Sequence, residues 1–167
     1  MSDEKSVELI VTSPAFQDGQ LIPDMYTCDG KSISPPINID GIPEGTRSLV
    51  IVMEDPDVPM PQLPLFTVTH WIVFNIPPEV PSVPEAVPAS ARLEGGVLQG
   101  ISTNRKPGYL APCPIAGTHR YCFQVYAIDT VLEIELEKAT KKNILKAIEG
   151  HILARGLLIG RYRRQRK

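Results

Sequence analysis

The sequence predicts a mainly β protein, an antiparallel β-sandwich with one peripheral helix near its C-terminus. Apolar runs of strand length recur along the chain, and turn residues separate them. The 167 residues include 17 prolines, which is about twice the ordinary usage of ~5%, and proline interrupts both helices and central strands. A single segment near the C-terminus repeats apolar residues at helical spacing. These three observations favour short strands joined by stiff loops.

The length and composition indicate one soluble domain over residues 1–167. A chain of this size buries enough apolar surface to fold without a metal or a disulfide, and 43% hydrophobic and 22% charged residues are ordinary values. Residues 1–5 are polar and no apolar segment follows them, so no signal peptide is expected. No run reaches the ~18 apolar residues of a membrane span. We therefore expect a cytoplasmic protein with reduced cysteines.

Charge is distributed unevenly along the chain. The net charge is −2, but residues 161–167 carry five positive charges, which leaves about −7 on the remainder. Such a tail is most often a solvated terminus, and the alternative is contact with nucleic acid or another acidic surface. No aromatic-rich basic stretch elsewhere supports nucleic-acid binding, so no nucleic-acid partner is expected.

The first half of the chain predicts three strands. Residues 7–11 form the first strand, and a short strand follows around residues 37–39. In the strand predicted over residues 47–54, residues 49–53 are all apolar and three of them are β-branched, which is typical of a buried core strand. This strand is expected to stop at residues 55–59, Asp-Pro-Asp-Val-Pro, because proline cannot donate to a central ladder. Two acids would then lie at the mouth of a buried strand.

Residues 67–76 predict the next strand, which is expected to be covered on both faces because its apolar run is nearly continuous from Trp71. Strand alternation places His70, Ile72 and Phe74 on one face. Residues 77–96 then form a long proline-rich connection, and residues 100–118 form a second long loop.

The next strand, residues 119–128, alternates clearly. One face is expected to carry His119, Tyr121, Phe123, Val125 and Ala127, and the other Arg120, Cys122, Gln124 and Tyr126.

The C-terminal part predicts a helix over residues 140–154, followed by a last strand over residues 157–162. Thr140 is the expected N-cap, and Gly156 is the residue expected just after the helix end.

Five polar residues lie beside the strong strands. Asp55 and Asp57 follow one strand, His70 lies in another, and His119 and Tyr121 open a third. Each has an ordinary structural explanation, such as turn hydrogen bonding for the acids and a satisfied core histidine for His70. If the three strands are neighbours, however, the five groups converge on one rim, which favours a site.

Three chemistries fit this rim. Imidazole and phenol groups can donate to a phosphate or a carboxylate, which makes an anion site. Histidine and carboxylate can hold a metal, but no short ligand spacing supports this, so no metal is expected. Cys28 or Cys113 could act as a nucleophile with a histidine, but neither lies at a recognisable nucleophile elbow, and Cys122 is expected to face away from His119.

A series of motifs also occurs in a specific order along nearly the whole chain. They are Tyr-Thr-Cys-Asp-Gly at 26–30, Ile-Ser-Pro-Pro at 33–36, Asp-Pro-Asp-Val-Pro at 55–59, His-Trp-Ile-Val-Phe-Asn-Ile-Pro at 70–77, Pro-Cys-Pro at 112–114, Gly-Thr-His-Arg-Tyr at 117–121 and Ala-Ile-Glu-Gly-His-Ile-Leu-Ala at 147–154. With this set the sequence resembles the phosphatidylethanolamine-binding protein family, also called Raf kinase inhibitor-like proteins, and most of all its prokaryotic branch.

The resemblance implies a large central sheet packed on a smaller sheet, a C-terminal helix, peripheral short helices and a small anion-binding pocket at one end. It implies no catalytic residue, no cofactor and no metal. The ligand-binding residues carried over from the family motifs are Asp55, Asp57, His70, Pro112, Pro114, Gly117, His119 and Tyr121. It also places Cys28 and Cys113 towards the pocket end, where they could form a disulfide.

The predicted function is non-catalytic binding of a phosphate-type anion, such as phosphate, a phosphoethanolamine-like head group or a carboxylate. The resemblance further implies regulation of a kinase or a serine protease, and a homodimer is compatible with it. The alternative is an uncharacterised hydrolase that uses the Asp and His rim. Because Asp55 would stabilise an imidazolium, anion binding is expected to strengthen as pH falls through the histidine range.

Overall fold

A computed structural model describes residues 7–165 and shows a mainly β fold with two sheets and one α-helix. Residues 1–6, and residues 166–167 of the basic tail, lie outside the described part. The strands are β1 (Val7–Glu8), β2 (Ile10–Thr12), β3 (Ile37–Asp40), β4 (Ser48–Met60), β5 (Leu63–Ile76), β6 (Ser82–Val83), β7 (Leu98–Gln99), β8 (His119–Ile128) and β9 (Ile152–Tyr162). The helix α1 spans Lys141–Ile148, and single 3₁₀ turns span Asp24–Tyr26, Glu94–Gly96 and Leu136–Lys138.

The larger sheet has the strand order β1-β9-β8-β4-β5-β7, and the smaller sheet has the order β2-β3-β6. Neighbouring strands in the described residues run antiparallel except β1 and β9, which are parallel. The prediction of a purely antiparallel sandwich is therefore wrong at this edge. The predicted first strand is also divided, because β1 joins the larger sheet and β2 joins the smaller one.

Two apolar clusters cover the two faces of the larger sheet. Leu49, Ile51 and Met53 of β4 pack towards the smaller sheet, together with Ile37 and Ile39 of β3. The alternate residues of β4, Val50 and Val52, pack in the cluster that contains Ile144 and Ile148 of α1. Because both faces of β4 are buried, its sequence is continuously apolar rather than alternating.

Strand β4 does not end before the Asp-Pro-Asp segment, contrary to the prediction. It continues to Met60 and forms a hairpin with β5, with register shifts around residues 55–59. Pairing with β8 on the other side stops at Glu54. Beyond Glu54, β4 therefore pairs on one side only, and an edge strand tolerates the missing N–H groups of proline.

The helix is shorter than predicted. Thr140 is its N-cap, as expected, and its Oγ1 accepts a hydrogen bond from the Asn143 N–H at 3.3 Å. The helix ends at Ile148, Gly150 follows with φ +78°, and the chain enters β9 at Ile152. Gly156 is thus a strand residue, because pairing of β9 along the whole of β8 outweighs the helical pattern of residues 149–154.

Candidate functional site

A pocket of about 210 Å³ lies at the end of the larger sheet where β4, β5 and β8 meet the loop of residues 110–117. We call it the sheet-end pocket. Its lining residues are Asp55, Val58, Pro59, Val68, His70, Leu110, Ala111, Cys113, Pro114, Ile115, His119 and Tyr121. Strands that are neighbours in the sheet therefore bring together the carboxylate, both imidazoles and the phenol of the predicted rim.

Asp55 and His119 form a buried pair at the back of the pocket. The Oδ2 atom of Asp55 lies 2.7 Å from Nδ1 of His119, and the two residues are 2% and 1% exposed. The Asp57 N–H donates to the other Asp55 oxygen at 2.8 Å. Nε2 of His119 lies 2.8 Å from the Ala116 carbonyl oxygen. Both ring nitrogens thus face acceptors, which matches the two N–H groups of an imidazolium.

His70 faces the same pocket from β5. Its Nδ1 lies 2.6 Å from the Leu110 carbonyl oxygen, so this nitrogen carries a proton and donates. Burial lowers the pKa of His70, and the Leu110 carbonyl and the Asp55 charge oppose this shift without reversing it. At neutral pH the ring is therefore neutral, and Nε2 presents a lone pair.

The predicted orientation of His70 is wrong. Ile72 and Phe74 pack in the α1-side cluster, whereas the His70 ring lies 5.2 Å, edge-on, from the ring of Tyr121, which belongs to the other cluster. The cause is an irregularity in pairing, because Met53 pairs with Trp71 while the next residue of β4 pairs with Thr69. His70 is left unpaired, and this β-bulge turns its side chain to the pocket face.

Tyr121 supplies a hydroxyl donor. Its ring also stacks beside the His119 ring at 6.5 Å. Burial, followed by the nearby Asp55 carboxylate, raises the pKa of the Tyr121 phenol, so the hydroxyl stays protonated. Within residues 7–165 no hydrogen bond to this hydroxyl is present, which leaves it available to a ligand.

Asp57 lies outside the pocket lining, although it was predicted to bind ligand. Its carboxylate accepts from the Arg120 Nε at 3.0 Å, from Nη2 at 2.9 Å and from the Arg120 backbone N–H at 2.9 Å. Hydrogen bonding to Arg120 lowers the pKa of Asp57, against the opposing effect of burial. Asp57 therefore fixes the start of β8 and orients Asp55 through its own N–H.

Two other predicted residues also lie outside the lining. The Pro112 carbonyl accepts from the Cys28 N–H at 3.1 Å, and Gly117, at φ +76°, lines a neighbouring cleft. Sequence reasoning missed the apolar wall formed by Val58, Pro59 and Val68. The proline-rich segment after Asp55 was a usable signal for this wall, since it contains Val58 and Pro59 and leads into the strand that carries Val68.

A disulfide joins Cys28 to Cys113, with 5.4 Å between their Cα atoms. The resemblance allowed this bond, and it corrects the expectation that all the cysteines are reduced. Because Cys113 lines the sheet-end pocket, the bond ties one pocket wall to the loop after Tyr26. Cys122 remains a free thiol outside the pocket, and burial raises its pKa.

Neither a metal centre nor a membrane span is found in the part of the chain that the structure describes. Over residues 7–165, no group of three or more His, Cys, Asp and Glu side chains could hold a metal ion. Over the same residues, no helix has the length and apolar character needed to cross a bilayer.

Comparison with known proteins gives consistent matches. Residues 12–163 match the family model of phosphatidylethanolamine-binding protein. A UPF0098 protein of Methanothermobacter thermautotrophicus is 47% identical over 90% of this chain and 95% of its own length. The crystal structure of the phosphatidylethanolamine-binding protein homolog CT736 from Chlamydia trachomatis has a TM-score of 0.85 at 39% identity, covering 96% of this chain and all of that one.

A second solved structure, E. coli YbcL, described as a new member of the mammalian PEBP family, has a TM-score of 0.81 at 26% identity. It covers 95% of this chain and 99% of YbcL.

Proposed function

Because the chain belongs to the phosphatidylethanolamine-binding protein family, we propose that it is a non-catalytic binding protein whose sheet-end pocket takes a small phosphate-type anion. Phospholipid head groups and phosphorylated molecules share this chemistry. The pairing of Asp55 with His119 carries the proposal. Among the described lining residues Asp55 is the only acid, and an uncompensated carboxylate there would repel an anion.

Two groups are available to contact the anion. The Tyr121 hydroxyl donates at any pH below its raised pKa. Nε2 of His70 donates only when the ring is protonated, and a bound anion stabilises that charged form. Anion binding at this site therefore takes up a proton. The volume of about 210 Å³ is below the ~300–1,000 Å³ of sites for drug-sized ligands, which suits a head group rather than an acyl chain.

The test is isothermal titration of inorganic phosphate at pH 5.5 and pH 7.5, repeated with sulfate, which keeps its charge over this range. Because one proton is taken up, the affinity is expected to rise about tenfold or more as pH falls. His70→Gln should flatten this dependence, since glutamine does not titrate. Tyr121→Phe should weaken binding about tenfold at both pH values, because it removes one hydrogen bond to a charged ligand.

The matched control is His151→Gln, because His151 is an exposed histidine paired with Asp129 away from the pocket. Its affinity and pH dependence should equal those of the wild type. An affinity that is flat with pH, or a Tyr121→Phe protein that binds normally, would contradict the proposal.

The hydrolase alternative rests on His70, whose Nδ1 donates to the Leu110 carbonyl and whose pKa is lowered by burial, so that Nε2 keeps a lone pair at neutral pH. That nitrogen is a candidate general base, whereas His119 is engaged at both ring nitrogens. Tyr121 is a poor nucleophile because burial raises its pKa. Ester and phosphate-monoester substrates should be screened with wild type and His70→Ala. Turnover that the substitution abolishes would favour the hydrolase.

Regulation of a kinase or a serine protease remains part of the proposal, because it is implied by family resemblance. An inhibition assay with the purified chain against serine proteases of different specificity tests it. The homodimer is likewise a prediction, which light scattering after size exclusion checks.

A further inference from the structure

A second cavity, of about 450 Å³, opens beside the sheet-end pocket. Its walls are the loop of residues 114–117 on one side and residues 163–165, Arg-Arg-Gln, on the other. We call it the arginine cleft. It shares Pro114 and Ile115 with the sheet-end pocket, so the two cavities adjoin along one loop. The described part of the basic tail is therefore placed at the mouth of the candidate site.

The tail is held at this place by hydrogen bonds. The Asp29 carboxylate accepts from the Tyr162 hydroxyl at 2.5 Å and from the Gln165 N–H at 2.8 Å. These bonds, and then the Arg164 charge, lower the pKa of Asp29. Arg161, the residue before Tyr162, donates from its Nε to the Gly19 carbonyl at 2.8 Å. The arginines thus extend from an anchored strand end.

The opposite wall is anchored to the same loop. Cys28, the neighbour of Asp29, is bonded to Cys113, and Cys113 precedes Pro114 of the shared wall. Both sides of the arginine cleft are therefore fixed to residues 28–29. These links restrict the movement of one cavity relative to the other, and such preorganisation favours recognition of a ligand with two separated groups.

In the described part of the chain, few carboxylates lie near the guanidinium groups of Arg163 and Arg164 to neutralise their charge. Nε of Arg164 lies 3.8 Å from Asp29, a long separation, and the Arg164 side chain is 45% exposed. Arg163 is exposed, and it has no salt bridge to an acidic side chain within residues 7–165. Guanidinium binds phosphate and carboxylate oxygens in pairs. A cleft with two such groups and no carboxylate in its lining favours an anion.

We propose that the arginine cleft binds a second anionic group of the ligand whose first group enters the sheet-end pocket. The ligand is then a bis-anion, with two phosphate-type groups or one phosphate and one carboxylate. This inference rests on the proposed function for the first group. It gives the basic tail a role in recognition rather than in solubility alone.

The experiment is isothermal titration at pH 6.5 and low salt with inorganic phosphate, pyrophosphate, propane-1,3-bisphosphonate and pentane-1,5-bisphosphonate. At least one bis-anion is expected to bind tenfold or more tightly than phosphate. In the double variant Arg163→Gln/Arg164→Gln, the ratio of bis-anion affinity to phosphate affinity, both measured on that variant, should fall below threefold. The control Arg47→Gln/Arg92→Gln removes the same charge from exposed arginines outside both cavities and should keep the gain.

The outcomes separate the two proposals. Phosphate binding without any gain for a bis-anion overturns this inference and leaves the proposed function standing. A gain that survives in Arg163→Gln/Arg164→Gln, or that the control variant also loses, overturns it in the same way. If phosphate does not bind the wild-type protein at all, the proposed function fails and this inference fails with it.

Discussion

Asp55 and Asp57 lie two residues apart on β4, and each pairs with a basic side chain from the start of β8, yet the two pairs differ in surroundings. The Asp55–His119 pair is buried on both sides, with side chains 3% and 2% exposed. In the other pair Asp57 is buried, but the Arg120 side chain is 55% exposed. Two positions on β4 therefore differ in role. The Asp55–His119 pair lines the sheet-end pocket, and the Asp57–Arg120 pair holds the start of β8.

The difference shows that the exposure of the partner decides how much each carboxylate pair contributes to stability. A buried pair is sensitive to loss of either member, because the remaining charge has no water to solvate it. A half-exposed pair contributes less, because water replaces the missing group and screens the charge. The sequence alone does not distinguish the two aspartates. Three substitutions in their partners, His119 and Arg120, do.

The largest effect is expected for His119→Ala. Removing the imidazole leaves the buried Asp55 carboxylate without the partner that lies 2.7 Å from it, and the free energy of unfolding should fall by about 3–5 kcal/mol. Urea denaturation followed by circular dichroism measures it. His151→Ala is the control, because its partner Asp129 is 44% exposed, and a loss below about 1 kcal/mol is expected there. Equal losses in the two variants would contradict the comparison.

A smaller effect is expected for Arg120→Ala, because it removes the side-chain donors of Asp57 while the Arg120 backbone N–H still donates. The loss should be about 1–2 kcal/mol at pH 7 after allowance for solvent. Denaturation curves at pH 7 are compared with the wild type, and a loss as large as that of His119→Ala would show that the exposed guanidinium matters as much as the buried imidazole.

The Arg120 effect should depend on pH in a defined direction. Because Arg120 lowers the pKa of Asp57, the stabilisation is fully present above the unfolded-state value of about 3.9 and is lost as pH falls through the folded-state pKa. The difference between wild type and Arg120→Ala should therefore shrink below about pH 4. A difference that stays constant from pH 7 to pH 3 would show that packing of the arginine stem, not its charge, is responsible.

The smallest effect is expected for Arg120→Lys. Lysine keeps the charge but not the paired N–H donors that reach both oxygens of Asp57. The loss should be below about 1 kcal/mol, measured by the same denaturation curves. A loss equal to that of Arg120→Ala would show that geometry, rather than charge, holds Asp57 in place.

Much of the fold follows from local pattern, because each residue in a strand faces the opposite way from its neighbour. The strand His119–Ile128 has the predicted bounds, and its core face, from His119 to Ala127, is buried as expected. The cap at Thr140 also follows from local chemistry. The course of residues 149–154 could not be predicted in the same way, since their helical spacing competes with pairing to a strand distant in sequence.

The same division holds for the site. Asp55, His70, Pro114, His119 and Tyr121 were predicted and line the sheet-end pocket. These residues lie beside strong strands, and neighbouring strands end at a common edge, which is why they share one cavity. Asp57 is close to Asp55 in sequence, but its carboxylate is engaged by Arg120 of another strand, which no local pattern indicates. The side chain of His70 faces the cavity because of a bulge rather than through simple alternation.

The sequence by itself determined the residue types of the site and the strands that carry them, because side-chain chemistry and strand alternation are local properties. Tertiary structure alone decided that Asp55 is compensated by His119, that Cys28 meets Cys113 and that Arg163 and Arg164 lie beside the pocket. Each of these depends on contacts between segments more than 60 residues apart in the chain. Such contacts are set by packing and register, which no local pattern contains.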